Sequence, residues 1–304
     1  MKENIKLAFL GGDARQCCLA SIFAQRGFEC AVWGISDGCG NVGDAVRCRD
    51  WFSAINRASA VILPLPSSPD GVSVSCPTLN SENSEYTQLK LSSLLLATNA
   101  PILGGKLPED FVDQAREKGK RVIDYFESET LQIRNATPTA EGAVAVAMSH
   151  LQITLCGCCC AVIGFGRIGQ RISHLLSAMG AKVTVAARSL RSLAQAESFG
   201  FSTVRINENE KCRGLLSLGN ENLDVIFNTV PSRLFDREVL SSLEKTVLLI
   251  DLASVPGGVD FLAAKEEGIC AVWALSIPGK YAPLSAGRII SETLLEYLES
   301  EGII

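Results

Sequence analysis

Residues 154–171 read TLCGCCCAVIGFGRIGQR, four cysteines set directly before a Gly-x-Gly-x-x-Gly run. Cysteines can hold a metal or work in redox chemistry; a glycine run of this kind can cradle phosphate. Cys156, Cys158, Cys159 and Cys160 lack zinc-site spacing, because no C-x-x-C or second paired set completes four ligands. Other cysteines sit in apolar runs, such as Cys30 in ECAVW and Cys270 in GICAVWAL. In a reducing compartment such residues behave as small hydrophobes. All twelve are read as structural, and no metal is expected.

The glycines carry the chemistry. Gly164, Gly166 and Gly169 follow an apolar strand-like run and open a helical one, IGQRISHLLSAMG. In a strand–turn–helix unit the first glycine makes the tight turn and the second admits the pyrophosphate. The third lets the helix pack on the strand, with its N-terminus, here Arg167 and Ile168, aimed at the phosphates. The next strand, KVTVAARS, ends at Arg188. NAD-selective enzymes place Asp or Glu there for the ribose 2′-hydroxyl. Arg188 followed by Ser189 offers charge and hydrogen bonds to a 2′-phosphate, so NADP is favoured over NAD, with stacking on the adenine as the alternative. Two further loops fall at strand ends: Asn228, Thr229, Val230 and Pro231 after DVIF, and Asp251, Leu252, Ala253 and Ser254 after VLLI. They are expected to meet ribose and nicotinamide, although simple strand-to-helix caps would read the same way.

These residues need a scaffold. The 304-residue chain, 47% hydrophobic and 20% charged, is long enough for two cores. Short apolar runs alternate with amphipathic stretches throughout, the mark of βαβ units and parallel sheets. Strands are expected at Ile5–Leu10, Glu29–Trp33, Ala60–Leu63, Pro101–Leu103 and Arg121–Asp124, then at Cys159–Ile163, Lys182–Ala187, Ser202–Ile206, Asp224–Asn228, Thr246–Ile250 and Cys270–Ala274. The expectation is α/β with two doubly wound domains. A flavodoxin-like or Rossmann-like domain takes 1–138, completed by a returning helix in 284–304; an NAD(P)-binding Rossmann domain takes 139–283, with an interdomain helix over 139–152. A ligand is expected in the cleft between the two domains. Residues 64–87, rich in Pro, Ser and Asn, read equally as a binding lid or as a surface excursion.

The net charge of -5 gives no electrostatic footprint for nucleic acid or an anionic membrane. No window approaches the roughly 18 apolar residues of a membrane span, and the N-terminus lacks a signal-peptide pattern, so a cytoplasmic protein is expected.

GGDARQ at 11–16, TPTAEG at 137–142, AARS at 186–189, NTVPS at 228–232, DLASVPGGVD at 251–260 and PGKYAPLSAG at 278–287 occur in this order. As a set they resemble the A-subunit family of dipicolinate synthase, the sporulation enzyme of endospore-forming bacteria, over nearly the whole chain. The resemblance implies oxidation of a dihydrodipicolinate-type precursor to pyridine-2,6-dicarboxylate with a nicotinamide acceptor, beside a flavoprotein B subunit, in the mother-cell cytoplasm. A dicarboxylate calls for cationic or N–H partners. Arg15 is the first candidate, with Gly11 and Gly12 freeing backbone amides beside it. Asp13 either orients Arg15 or caps the helix, with capping favoured. Thr139 and Glu141 are placed at the opening of the interdomain helix, Glu141 either as a base or as a first-turn acid stabilised by the dipole, with the dipole role favoured. Neither His150 nor His174 forms a catalytic pair, and His174 is expected to pack or cap. Ser254 and Lys280 are further polar candidates. Long apolar helices leave room for a homodimer. Two other readings stay open: a 2-hydroxyacid or amino-acid dehydrogenase on the same scaffold, or an NADP-binding regulatory protein.

Overall fold

The computed structural model describes residues 5–79, 88–207 and 223–304. The chain divides into two units, Met1–Asn135 with Ala282–Ile304, and Ala136–Tyr281.

The first unit begins with β1 (Lys6–Leu10), α1 (Ala14–Gln25), β2 (Glu29–Trp33), β3 (Val46–Arg47), α2 (Trp51–Ile55) and β4 (Ala60–Ile62). It continues with α3 (Leu91–Ala97), β5 (Ile102–Gly104), α4 (Glu109–Glu117) and β6 (Val122–Asp124). The strands form one parallel sheet in the order β3-β2-β1-β4-β5-β6. Leu7, Ala8, Phe9 and Leu10 are all buried, as expected of a strand covered by helices on both faces. Asp residues start the helices: Asp13 accepts from the Arg15 amide and Asp50 from the Ser53 amide at 2.8 Å.

Helix α5 (Glu129–His150) runs from the first unit into the second and carries Pro138 inside it. The expected start at residue 139 is therefore corrected. Proline usually marks a helix boundary, but here the helix is already under way from Glu129. Thr139 and Glu141 lie mid-helix, which removes the first-turn dipole role from Glu141.

The second unit follows with β7 (Cys159–Ile163), α6 (Arg167–Ala178), β8 (Lys182–Ala187), α7 (Leu190–Ser198), β9 (Ser202–Arg205) and β10 (Val225–Asn228). Then come α8 (Arg237–Ser241), β11 (Leu248–Asp251), α9 (Phe261–Glu266), β12 (Cys270–Trp273) and α10 (Ile277–Tyr281). Its parallel sheet runs β12-β11-β10-β7-β8-β9. Counted within each unit, both sheets have the order 3-2-1-4-5-6, the Rossmann rather than the flavodoxin arrangement. Gly142 lets α10 approach α5, since a Cβ there would lie 2.3 Å from Ile277 Cγ2. Cys158 and Cys160 sit in this core with their sulfurs 3.7 Å apart, and burial pushes the Cys158 thiol up to about 11.

The chain then returns to the first unit as α11 (Pro283–Ser300). Ile290, Leu294 and Leu298 join the core that holds Leu19, Ala20 and Phe23 of α1. Each contributes about 1.5–3 kcal/mol by burial. Gly287 allows the close approach, because a Cβ there would stand 2.8 Å from Cys18 Cβ. Arg121 pairs with Glu301 and Arg134 with Glu292.

Candidate functional sites

In the second unit, the turn after β7 is built by its glycines. Gly164 has φ +91°, and its amide donates to the Ala186 carbonyl at 2.8 Å. A Cβ on Gly169 would lie 2.1 Å from the Gly164 carbonyl oxygen, so only glycine lets α6 seat this closely on the strand. Gly166 is the opposite case. It is the N-cap of α6, no side chain caps the helix there, and nothing stands within 4 Å of the place a Cβ would take. A helix start with no side-chain cap and open space in front of it suits an anion. These residues therefore fit a dinucleotide: Gly164 turns the chain, Gly169 sets the helix, and Gly166 with Arg167 and Ile168 forms an open first turn.

Thr229 comes against this turn. Its hydroxyl donates to the Ile163 carbonyl at 2.8 Å, and a Cβ on Gly164 would meet Thr229 Oγ1 at 2.6 Å and Val230 Cγ2 at 2.9 Å. Pro231 is exposed at the same strand end. Leu252 and Ala253 are buried, while Ser254 is exposed. Arg188 is exposed directly after β8, and the Ser189 side chain caps α7 by accepting from the Ser192 amide at 3.5 Å. Sequence reasoning put Asn228 and Asp251 at the heads of the two loops but did not foresee that they pair. Asn228 and Asp251 are both fully buried and hydrogen-bonded to each other at 2.8 Å. Their only signal was a polar residue ending each of two apolar strands.

Between α5 and α6 lies a cleft of about 210 Å³ lined by Thr137, Ala140, Glu141, Arg171, His174 and Leu175. Glu141 is exposed there, and Arg171 Nε donates to Thr137 Oγ1 at 3.1 Å. Thr139 is buried. His174 packs edge-on against Phe199 and Phe201, with centroids 4.9 and 5.2 Å apart.

In the first unit the equivalent place is the switch point between β1 and β4. Asp13 caps α1 and also orients Arg15: Arg15 Nε reaches Asp13 Oδ1 at 2.9 Å and Nη2 reaches Oδ2 at 2.8 Å. Nη2 also donates to the Leu65 carbonyl at 2.6 Å, across the switch point. Arg15 is 8% exposed, so it is not the open cation its sequence context implies. Among the described residues, Nη1 is the guanidinium nitrogen of Arg15 without a protein hydrogen bond. Burial raises the Asp13 pKa, but the Arg15 hydrogen bonds and charge outweigh it and hold the carboxyl below its ordinary value.

The expectation of free amides at Gly11 and Gly12 is also corrected. Gly11 donates to the Trp33 carbonyl and Gly12 to the Ser75 carbonyl, both at 2.7 Å. Their glycine character serves close packing instead, since a Cβ on Gly11 would lie 2.4 Å from Ser75 O. The Gly12–Ser75 hydrogen bond anchors residues 64–79, the described part of the long loop, at Ser75; 80–87 lie outside the described residues. Ser67 is fully buried and its hydroxyl donates to the Gly105 carbonyl at 2.9 Å, while the Asp70 carboxylate accepts from the Val72 and Ser73 amides. At the end of β5, Lys106 has φ +51° and holds its ammonium 5.1 Å from the Phe126 ring centre.

Comparison with known proteins matches residues 6–126 to the N-terminal domain of the dipicolinate synthase A-subunit. Residues 133–255 match the D-isomer specific 2-hydroxyacid dehydrogenase NAD-binding domain. The dipicolinate synthase A-subunit of Bacillus subtilis (strain 168) is 30% identical over 302 residues, covering 98% of this chain and 97% of that protein. The crystal structure of the Bacillus subtilis A-subunit superposes with a TM-score of 0.80, covering 99% of this chain and 97% of that one at 30% identity. That of the Bacillus halodurans A-subunit gives 0.83, covering 98% and 99% at 28% identity. The second unit is thus an NAD-binding domain of dehydrogenase type. With the first unit matching its own family model and the likeness running through nearly all of both chains, the protein belongs to the A-subunit family of dipicolinate synthase.

Proposed function

We propose that the chain oxidises a dihydrodipicolinate-type precursor to dipicolinate, with NADP as acceptor and partnered by a flavoprotein B subunit, in the mother-cell cytoplasm of a sporulating bacterium. The reaction balances as loss of one hydride to the nicotinamide and one proton to base, giving an aromatic pyridine ring. The observation that carries the reading is the open start of α6 at Gly166, held by the Gly164–Gly169 contact, in a chain of this family. The bound nicotinamide supplies the hydride acceptor; the chain's own residues bind and orient.

Gly164, Gly166, Arg167, Ile168 and Gly169 are assigned to the pyrophosphate, and Thr229, Val230, Pro231, Leu252, Ala253 and Ser254 to the ribose and nicotinamide side. Arg188, exposed at the end of β8, supports a 2′-phosphate and therefore NADP. Arg15 is assigned to a substrate carboxylate through Nη1, its other nitrogens being held by Asp13 and Leu65. Pre-orientation of this kind lowers the ordering cost of binding. Glu141 is assigned as proton acceptor because its carboxylate is exposed in the cleft that Arg171 also lines. Among the described residues no helix is long and apolar enough to cross a membrane.

The test supplies freshly generated precursor and NADP to the purified chain, with and without the flavoprotein partner, and follows dipicolinate and NADPH together. Equal formation of both by the chain alone makes this chain the dehydrogenase and the partner dispensable for the chemistry. Formation only with the partner present assigns a shared site. Tight NADP binding with no product in either case overturns the substrate and returns the 2-hydroxyacid and amino-acid dehydrogenases.

A further inference from the structure

The carboxyl ends of β10 and β11 hold a buried pair that the cofactor assignment does not use. Asn228 Nδ2 donates to Asp251 Oδ1 at 2.8 Å and to the Val230 carbonyl at 3.1 Å, while its Oδ1 accepts from the Val230 amide at 3.2 Å. Asp251 also accepts from the Ala253 amide at 3.1 Å and the Gly258 amide at 2.7 Å. From the other side, Trp273 Nε1 donates to the Ala253 carbonyl at 3.1 Å. The pair leaves no room for a side chain at 258, where a Cβ would stand 2.1 Å from Asn228 Nδ2. The loop 252–258 is therefore pinned at its base, with Ser254, Val255 and Pro256 exposed at its tip.

Each hydrogen-bond partner of the Asp251 carboxylate is a neutral N–H donor, and among the described residues no Lys, Arg or His pairs with it. Its charge is oriented by dipoles without being cancelled. It is fully buried, where screening by water is weak. In a sheet of this order the strand ends beyond the switch point face the nicotinamide half of a dinucleotide. The oxidised nicotinamide ring carries a positive charge and the reduced ring does not.

We propose that Asp251 is a positioning residue that sets the 252–258 loop and, through its uncancelled charge, favours the oxidised nicotinamide over the reduced one. This rests on the cofactor reading above. It separates two effects of one side chain: loop position acts on both forms of the nucleotide, whereas charge acts on their ratio.

The full chain is titrated calorimetrically with NADP+ and with NADPH. The wild type is expected to bind the oxidised form at least as tightly as the reduced one. Asp251→Asn removes the charge and sets an amide NH2 against an N–H donor, so it also loosens the loop and weakens both forms, but the oxidised-to-reduced affinity ratio is expected to fall about tenfold. Gly258→Ala displaces the loop and leaves the charge, and is expected to weaken both forms by the same factor. An unchanged ratio in Asp251→Asn overturns the inference, as does a wild type that clearly prefers NADPH. If Asp251→Asn does not fold, the wild-type ratio alone decides. Binding of neither nucleotide by the wild type removes the cofactor reading and this inference together; equal weakening of both forms by Asp251→Asn removes the inference alone.

Discussion

Gly169→Ala and Gly166→Ala should separate the folding role of the glycine turn from its binding role. At 169 the new methyl would lie 2.1 Å from the Gly164 carbonyl oxygen and 2.9 Å from its carbon. Both are backbone atoms, so no flexible side chain can yield, and α6 must move away from β7. Overpacking of this kind costs about 1–3 kcal/mol, which in a domain of this size lowers Tm by roughly 3–10 °C. The same shift opens the turn and should weaken NADPH binding about tenfold or more. At 166 the backbone has φ -81° and ψ -165°, which any residue adopts, and the methyl meets nothing within 4 Å. Tm should fall by only about 1–3 °C, the cost of Ala in place of Gly at an N-cap, since nothing clashes. NADPH affinity should nevertheless fall at least about tenfold, because the methyl stands where the phosphate is assigned. The assays are thermal melting without ligand and calorimetric titration with NADPH. Full affinity in Gly166→Ala, or wild-type melting in Gly169→Ala, would refute the reasoning.

Arg188→Ala should lower NADPH affinity about tenfold and leave NADH within about twofold, read by titration with each; equal losses would remove the 2′-phosphate assignment. Asp13→Asn should destabilise the first unit in a pH-dependent way. The Asp13 pKa is held below its ordinary 3.8, because the Arg15 hydrogen bonds and charge outweigh the effect of burial. A depressed folded-state pKa gives stability that is full above the unfolded value and is lost as pH falls through the folded one. The Tm gap between wild type and Asp13→Asn should thus be widest near neutrality and narrow below about pH 4. Glu141→Gln should cut turnover at least about a hundredfold with KM little changed, if Glu141 takes the proton. Exposed Cys156 and Cys270 should react promptly with a disulfide reagent, while buried Cys158 and Cys160 should wait for unfolding, as mass spectrometry of the labelled protein would show.

The alternation of apolar runs was enough to place Glu29–Trp33, Cys159–Ile163 and Lys182–Ala187 as strands with their observed bounds. Buried parallel strands are continuous apolar runs and stand out from amphipathic helices. The two-residue β3 escaped because it is too short for any period to show. The turn after β7 was legible because its glycines act on atoms a few residues away, as the Gly164–Gly169 contact shows. Arg15 was only half legible. Its charge is visible in the sequence, but its fate depends on the Leu65 carbonyl, far along the chain. The Gly11 and Gly12 amides were misread for the same reason, since their acceptors lie on Trp33 and Ser75. Asn228 and Asp251 form one unit only after two strands pair in register, which no local pattern records.

The return of α11 to the first unit has a consequence for synthesis on the ribosome. Residues 136–281 are contiguous, so the second unit has all its own parts as soon as it emerges. The first unit is made earlier yet stays incomplete until Ile290, Leu294 and Leu298 arrive to cover α1. At about 5–20 residues per second that wait lasts on the order of ten seconds or longer. During it, the α1 surface around Leu19 and Phe23 is a target for chaperones, and a ribosome stalled before Pro283 would release a chain with one finished unit and one open core.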